Sequence, residues 1–226
     1  MAITLHKDDL PAGLSFGDCV AIDTESMGLN WERDRLCLVQ LSSGDGNAHL
    51  VQFSAGASER LRGAQSEPEH RVYEAPNLKK LMADPKVTKL FHFARADLAT
   101  IKYHLGVMPQ PVYCTKVASV FVRTFTERHS LKDLLRECLA IDVSKEQQTS
   151  DWGAATLSQD QMNYAASDVL HLHKLKAKLE EMLAREGRSE LAHKAIAFLP
   201  TRAQIDIEGW RDVDIFAHRP TRSPSP

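Results

Sequence analysis

Apolar residues in the first half of this chain fall in short, dense runs, whereas in the second half they recur at helical spacing. The runs CVAI (19–22), RLCLVQLSS (35–43), AHLVQF (48–53) and TKLFHF (88–93) have the length and apolar density of buried strands. Gly44-Asp45-Gly46-Asn47 punctuates the second and third runs, so the first three predict an antiparallel meander. PNLKKLMAD (76–84) reads as a helix with proline in its first turn, where the missing N–H costs nothing. From Arg95, Leu98, Ile101 and Leu105 share one helical face and Gly106 is placed to end it. TKVASVFVRTF (115–125) and SLKDLLRECLA (130–140) predict two more helices, and Ser130 with Asp133 approximates a capping box in the second. Ser158 with Gln161 is a full S-x-x-Q box ahead of an amphipathic run reaching about Arg185. Residues 54–75 lack periodicity and read as a long surface loop; the closing RPTRSPSP is too polar and proline-rich to pack. Strands early and helices late predict an α/β layered architecture.

Composition narrows this little. With 226 residues, 43% hydrophobic and 26% charged, the chain can build one sizeable core. No apolar run approaches the roughly 20 residues that span a bilayer, and MAITLHKDDLPAG lacks the basic-then-apolar pattern of a signal peptide, so a cytoplasmic protein without membrane partners is expected. The four cysteines, Cys19, Cys37, Cys114 and Cys138, are scattered with no C-x-x-C pair and are expected as reduced core residues. A net charge of −2 excludes the global basic footprint that a long nucleic acid selects, but leaves room for a small anionic substrate.

The chemistry begins where VAI runs into Asp23-Thr24-Glu25. Alternate strand residues share a face, so the carboxylates of Asp23 and Glu25 lie side by side and call for a proton or a cation between them. Alone, a D-x-E is most simply a strand end with two solvated acids. Asp97 follows in FHFARADLA, in the first turn of a helix, where a carboxylate complements the helix dipole. Tyr164 and Asp168 in YAASD stand four residues apart, on one helical face.

In this order and spacing the sequence resembles the ribonuclease D-like branch of the DEDD exonucleases, the branch whose third motif carries tyrosine, over roughly residues 15–185. Asp23 and Glu25 match the first motif, Asp97 the second, and Tyr164 with Asp168 the third. RDRLCLVQLSSGDG, FHFARADLA, GVMP, CTK, SDW, YAASDVL and IFAH are similar to the bacterial nano-RNase C group, while loop 54–75 looks longer than in that group. The resemblance implies an α/β, mixed-sheet ribonuclease H-like exonuclease fold with flanking helices. It implies a 3′–5′ exonuclease domain over 1–185, and residues 186–226 are then an extension for docking or oligomerisation, disordered at its end. Two Mg²⁺ or Mn²⁺ ions per active site are expected, bridged by Asp23, completed by Glu25 and Asp168, and reached by Asp97 through water. Tyr164 is expected to orient the attacking water and to help deprotonate it.

The resemblance also marks substrate contacts. Leu29 occupies the position from which relatives wedge a leucine between terminal bases; the other reading is a loop leucine anchored in the core. Thr24 lies between the first two acids, and His92 and Phe93 resemble a substrate-facing pair, although Phe93 also suits plain core packing. Lys145, Gln148 and Ser150, with Arg123, are phosphate-contact candidates. His171 and His173, alternating on a helix, read as structural or surface residues.

The expected activity is metal-dependent 3′–5′ exoribonuclease release of nucleoside monophosphates from very short RNAs, dinucleotides above all, because a slightly acidic chain holds few phosphates. The alternatives are a general ribonuclease D-like or DNA 3′–5′ exonuclease, and a catalytically silent nucleic-acid-binding module, which would predict a lost acid where none is lost. The resemblance implies a homo-octamer. Ile205, Ile207, Trp210, Val213, Ile215 and Phe216 must dock on something, across a subunit boundary or back on their own domain.

Overall fold

The computed structural model describes residues 2–55, 58–60, 71–143, 147 and 149–218. Its centre is β3 (Leu36–Ser42), LCLVQLS, buried at every position. On either side lie β2 (Cys19–Ser26) and β4 (Ala48–Gln52), both antiparallel to it, which is the predicted meander. The free edge of β2 pairs in parallel with β7 (Thr88–Phe91), and β7 with β8 (Val112–Cys114). At the far edge β1 (Ile3–Lys7) runs parallel to β4, so the six-stranded mixed sheet has the order β1-β4-β3-β2-β7-β8. The two edge strands escape a reading of the sequence. They are only five and three residues long, and ITLHK alternates polar and apolar residues too briefly to signal a strand.

The helices follow with adjusted limits: α1 (Pro76–Ala83), α2 (Ala94–Leu105), α3 (Thr115–Val122) and α4 (Leu131–Leu139). Gly106 ends α2 at φ 72°, and the Ser130 hydroxyl accepts the backbone N–H of Asp133. The α1 cap is not local. Ala75 offers no side-chain cap, and Asp9 instead accepts the N–H groups of Asn77 and Leu78, each at 2.9 Å. The amphipathic run expected to reach Arg185 unbroken is two helices, α5 (Gln159–Leu170) and α6 (Leu172–Arg185), with His171 as the cap residue between them. Just past the break, His173 Nε2 reaches the Cys19 carbonyl at 3.1 Å and its ring packs where Gly44 has no Cβ. Ser158 and Gln161 close the expected capping box on α5. On α6, Leu172, Leu175, Leu179 and Leu183 form one buried stripe. Burying each contributes roughly 1.5–3 kcal/mol, enough to dock the helix without local help.

Helix α5 crosses β1 to β4 and covers one small cluster of Cys37, Leu38, Leu50, Trp152, Leu157 and Ala165. The larger cluster joins β2, β7 and α1 to α3 with α6. Two expectations change here. Within residues 54–75, β5 (Ser58–Arg60) pairs with β6 (Arg71–Tyr73), and Tyr73 is core: its ring stacks on Phe53 with centroids 4.3 Å apart and its hydroxyl donates to the Leu36 carbonyl. Residues 56, 57 and 61–70 of the expected loop lie outside the described residues. After Arg185, α7 (Ser189–Ala197) and α8 (Leu199–Ile205) pack on α3 and α2, and Ala192, Ile196 and Ala203 enter the larger cluster. A π-helical turn, Asp206–Trp210, follows. The start of the tail thus folds back on its own chain, while Trp210 and Phe216 remain exposed. The expected disorder of RPTRSPSP falls on 219–226, outside the described residues. No described helix is long and apolar enough to cross a membrane.

Candidate active site

β2 delivers Asp23 opposite Gln40 and Glu25 opposite Leu38, whereas Ser26 pairs with Leu36. Cys37 is therefore an extra residue on β3, a bulge immediately beside Glu25 that bends the strand end. Helix α5 brings Asp168 over the same spot, and one carboxylate oxygen from each of Asp23, Glu25 and Asp168 lies within 4.8 Å of the others. Asp97 stands behind this trio. The turn from β7 into α2 places it there, with Phe93 held left-handed at φ 63°. A non-glycine residue in that region costs roughly 1–2 kcal/mol, so the turn is kept by its surroundings rather than by local preference. Asp97 is 6% exposed and accepts the Thr24 hydroxyl at 2.7 Å.

Crowding shows in the proton affinities. Burial, then the carboxylates of Asp97, Asp168 and Glu25, holds Asp23 well above the usual range. Burial and the neighbouring Asp168 and Asp97 push Glu25 up to about 9. Burial carries Asp97 to about 7 against the opposing hydrogen bond from Thr24. Tyr164 is raised by burial and by Asp168, Glu25 and Asp23, so it is a neutral phenol at physiological pH, hydrogen-bonded to Asp168. The Trp152 ring sits 6.0 Å from its ring.

Of these groups Glu25, Asp97 and Trp152 line a cleft of about 1100 Å³. The SDW loop forms one side, pinned to the sheet by Arg35 Nη2 on the Gly153 carbonyl (3.0 Å) and Gln52 Nε2 on the Ala154 carbonyl (2.9 Å). Ser150 lines the cleft, and its hydroxyl accepts Gln161 Nε2 at 3.2 Å. Leu29 is 85% exposed at the opening, which rules out the core-anchor reading. Phe93 is 45% exposed and lines the cleft, so it is not core packing; Lys116 Nζ lies 3.8 Å from its ring centre. His92 Nδ1 is 2.9 Å from the Thr115 hydroxyl, which donates to the Phe91 carbonyl. Thr24 has its hydroxyl committed to Asp97 instead of open to substrate. Arg123 is withdrawn as a phosphate contact: it is 2% exposed, bonded to Glu137 and to the Arg128 carbonyl, and does not line the cleft. Lys145 and Gln148 lie outside the described residues. His171 caps a helix and His173 bonds the chain, as structural residues do.

Among the cleft residues that escaped the sequence reading are Arg95, Arg202, Asp206 and Arg211. The Arg202–Asp206 spacing of four on one helix was the readable clue.

The donor set suits a hard divalent cation. It is all oxygen, clustered, and strained by its own charge without a counter-ion, whereas zinc prefers nitrogen and sulfur.

A family model described as 3′–5′ exonuclease matches residues 8–184. Ribonuclease D of Gluconacetobacter diazotrophicus is 33% identical over 180 residues, 80% of this chain and 42% of that protein; the chain thus spans less than half the length of the curated relatives it matches. Brucella melitensis NrnC with bound Mg²⁺ superposes with a TM-score of 0.86 at 49% identity, covering 97% of this chain and 100% of that one. The same protein bound to pGG gives 0.87 at 50% identity over 97% and 100%. Escherichia coli RNase D shares the fold, with a TM-score of 0.67 at 24% identity over 87% of this chain and 48% of that one.

Proposed function

We propose, from the premise that this chain belongs to the ribonuclease D-like 3′–5′ exonuclease family, that it is a metal-dependent 3′–5′ exoribonuclease acting on very short RNAs, dinucleotides above all. The observation that carries this is the convergence of Asp23, Glu25 and Asp168 within 4.8 Å, with Asp97 and Tyr164 as neighbours and with Glu25 and Asp97 lining the cleft. Asp23, Glu25 and Asp168 would hold the cation, and Asp97, tied to Thr24, supports a second one. Two bound Mg²⁺ or Mn²⁺ ions would supply Lewis acidity for the attacking water and the leaving oxygen.

The chain's own groups do the positioning. The Tyr164 phenol, hydrogen-bonded to Asp168, is placed to orient the attacking water and to share in its deprotonation. Water oxygen ends on the released 5′-monophosphate, and the bond broken is between phosphorus and the 3′ oxygen of the preceding nucleotide. Leu29, held out in solvent at the cleft opening, offers an apolar edge to a base; Phe93 offers an aromatic face for stacking and Ser150 a polar contact, while His92, next to Phe93 in the chain, stays a candidate. Thr24 serves through Asp97, and Lys145 and Gln148 remain candidates for the phosphate.

The short-substrate preference draws on the pGG complex of Brucella NrnC and on the absence of a basic excess in this chain. Exposed Phe198, Trp210 and Phe216 supply an apolar surface for self-association into a homo-oligomer, an octamer by family resemblance. Cytoplasmic action on RNA decay products fits this reading. The test mixes a 5′-phosphorylated dinucleotide with a long unstructured RNA and compares kcat/KM, with matched deoxyribonucleotides alongside. The dinucleotide should win by at least tenfold. Equal values would remove the short-substrate claim, preference for deoxyribose would favour the DNA exonuclease reading, and no hydrolysis of any strand would favour the silent module.

A further inference from the structure

The end of the cleft away from the acids is built by the C-terminal segment around one buried carboxylate. Asp206 is 4% exposed. It accepts Arg95 Nε at 2.6 Å and Nη2 at 2.9 Å, and Arg202 Nη2 lies 2.8 Å from Oδ1. Neither arginine stops there. Arg95 Nη2 donates to the Arg211 carbonyl at 2.8 Å, and Arg202 Nη2 donates to the carbonyls of Trp210 and Arg211 at 3.1 and 3.0 Å. Gly209, at φ 100°, lets the chain reverse so that these carbonyls face back toward the arginines. The clamp fixes where Arg211 begins. Its guanidinium then donates to the Leu29 carbonyl at 3.2 Å and lies over Trp31, 4.7 Å from the ring centre.

Apart from this contact, the loop that receives it is held by Trp31, which packs against the larger core cluster, and by its own internal bonds. It is knotted on itself by Asp34, which accepts the Asn30 N–H at 3.0 Å and leaves no room for a Cβ at Gly28. Leu29 meanwhile projects into solvent without a core contact to hold it. Arg95 starts in the first turn of α2, two residues before Asp97, so the clamp is rooted in the same helix as one of the cleft acids.

We infer that Asp206 and Arg211 are positioning residues for substrate: the arginine-clamped Asp206 seats Arg211, and Arg211 holds the Leu29–Trp31 loop at the cleft opening in the pose that receives the bases of a short RNA. The inference rests on the proposed exonuclease activity and assigns the C-terminal segment to the active site. Because neither residue touches the acid cluster, their loss weakens substrate capture and leaves the chemical step and the cation site alone.

The test is Arg211→Ala, an exposed position whose loss does not threaten folding, with Asp206→Asn as the second variant. Steady-state hydrolysis of a 5′-phosphorylated dinucleotide is measured in Mg²⁺, and binding of the same dinucleotide in Ca²⁺ by calorimetry. Arg211→Ala should raise KM and Kd about tenfold with kcat within about twofold, Arg211→Lys should recover part of the loss, and Asp206→Asn should raise KM similarly. The Mg²⁺-induced rise in Tm should match wild type in all three. Unchanged KM and Kd in Arg211→Ala overturn the inference while wild-type turnover keeps the exonuclease reading. A fall in kcat at constant KM overturns it as well. A wild-type protein that hydrolyses nothing overturns the exonuclease reading, and the inference with it.

Discussion

The two ends of the cleft handle negative charge in opposite ways. At one end Asp168 crowds against Asp23, Glu25 and Asp97, whose proton affinities are raised; at the other a single carboxylate, Asp206, sits between Arg95 and Arg202. Both ends take carboxylates out of water, and both must offset that cost. The arginine end does so with protein groups, through bidentate, nearly ideal hydrogen bonds, and is complete as it stands. The acid end is left in electrostatic strain that a cation relieves. Charge compensation, more than the identity of the residue, separates an aspartate that builds from one that binds.

The strongest challenge to that contrast is Asp23→Asn. If the acid end exists to hold cations, losing this ligand should lower turnover by about 10³-fold, the equivalent of several kcal/mol of transition-state stabilisation, and should abolish the Mg²⁺-induced rise in Tm. Turnover that survives excess chelator would end the metal reading. Tyr164→Phe comes next: turnover should fall about 10²-fold with secondary structure and Tm intact, because only the oriented water is lost. Full activity in that variant would take the phenol out of the reaction.

Asp206→Ala attacks the opposite end. Removing the shared carboxylate strands two arginines, and unfolding in urea should show a loss of about 2 kcal/mol. That is below the 3–5 kcal/mol of a wholly buried pair, because Arg95 remains 36% exposed. A neutral result would mean that the clamp is decoration.

The mildest test uses pH. In metal-free protein Glu25 ionises near 4.5 when unfolded and near 9 when folded, so the folded state binds the extra proton. Its contribution is fully present below pH 4.5 and is lost as pH rises toward 9; Tm should fall across that window. Mg²⁺ or Glu25→Gln should flatten the slope. A Tm that rises with pH in metal-free protein would contradict the crowding of the acids.

Much of the acid end was legible in the sequence because its geometry is local. Asp23 and Glu25 share a face by the period of a strand, Tyr164 and Asp168 by one turn of a helix, and Ser158 with Gln161 marks where that helix starts. What brings the pairs together, the crossing of α5 over β2 and the bulge at Cys37, depends on packing, yet the motif order anticipated it through resemblance.

The rest belonged to tertiary structure. Arg123 and Arg211 look alike as letters in a charged stretch, but one is buried against Glu137 and the other reaches Leu29 in the cleft wall. Just past the break at His171, His173 meets Cys19 and Gly44, far away in the chain. By itself the sequence determined the acids, their pairing and the elements that carry them, since each follows from the repeat of a single strand or helix. Only the fold decided that the C-terminal segment closes the cleft, because Arg95 and Asp206 are 111 residues apart and no local period relates them.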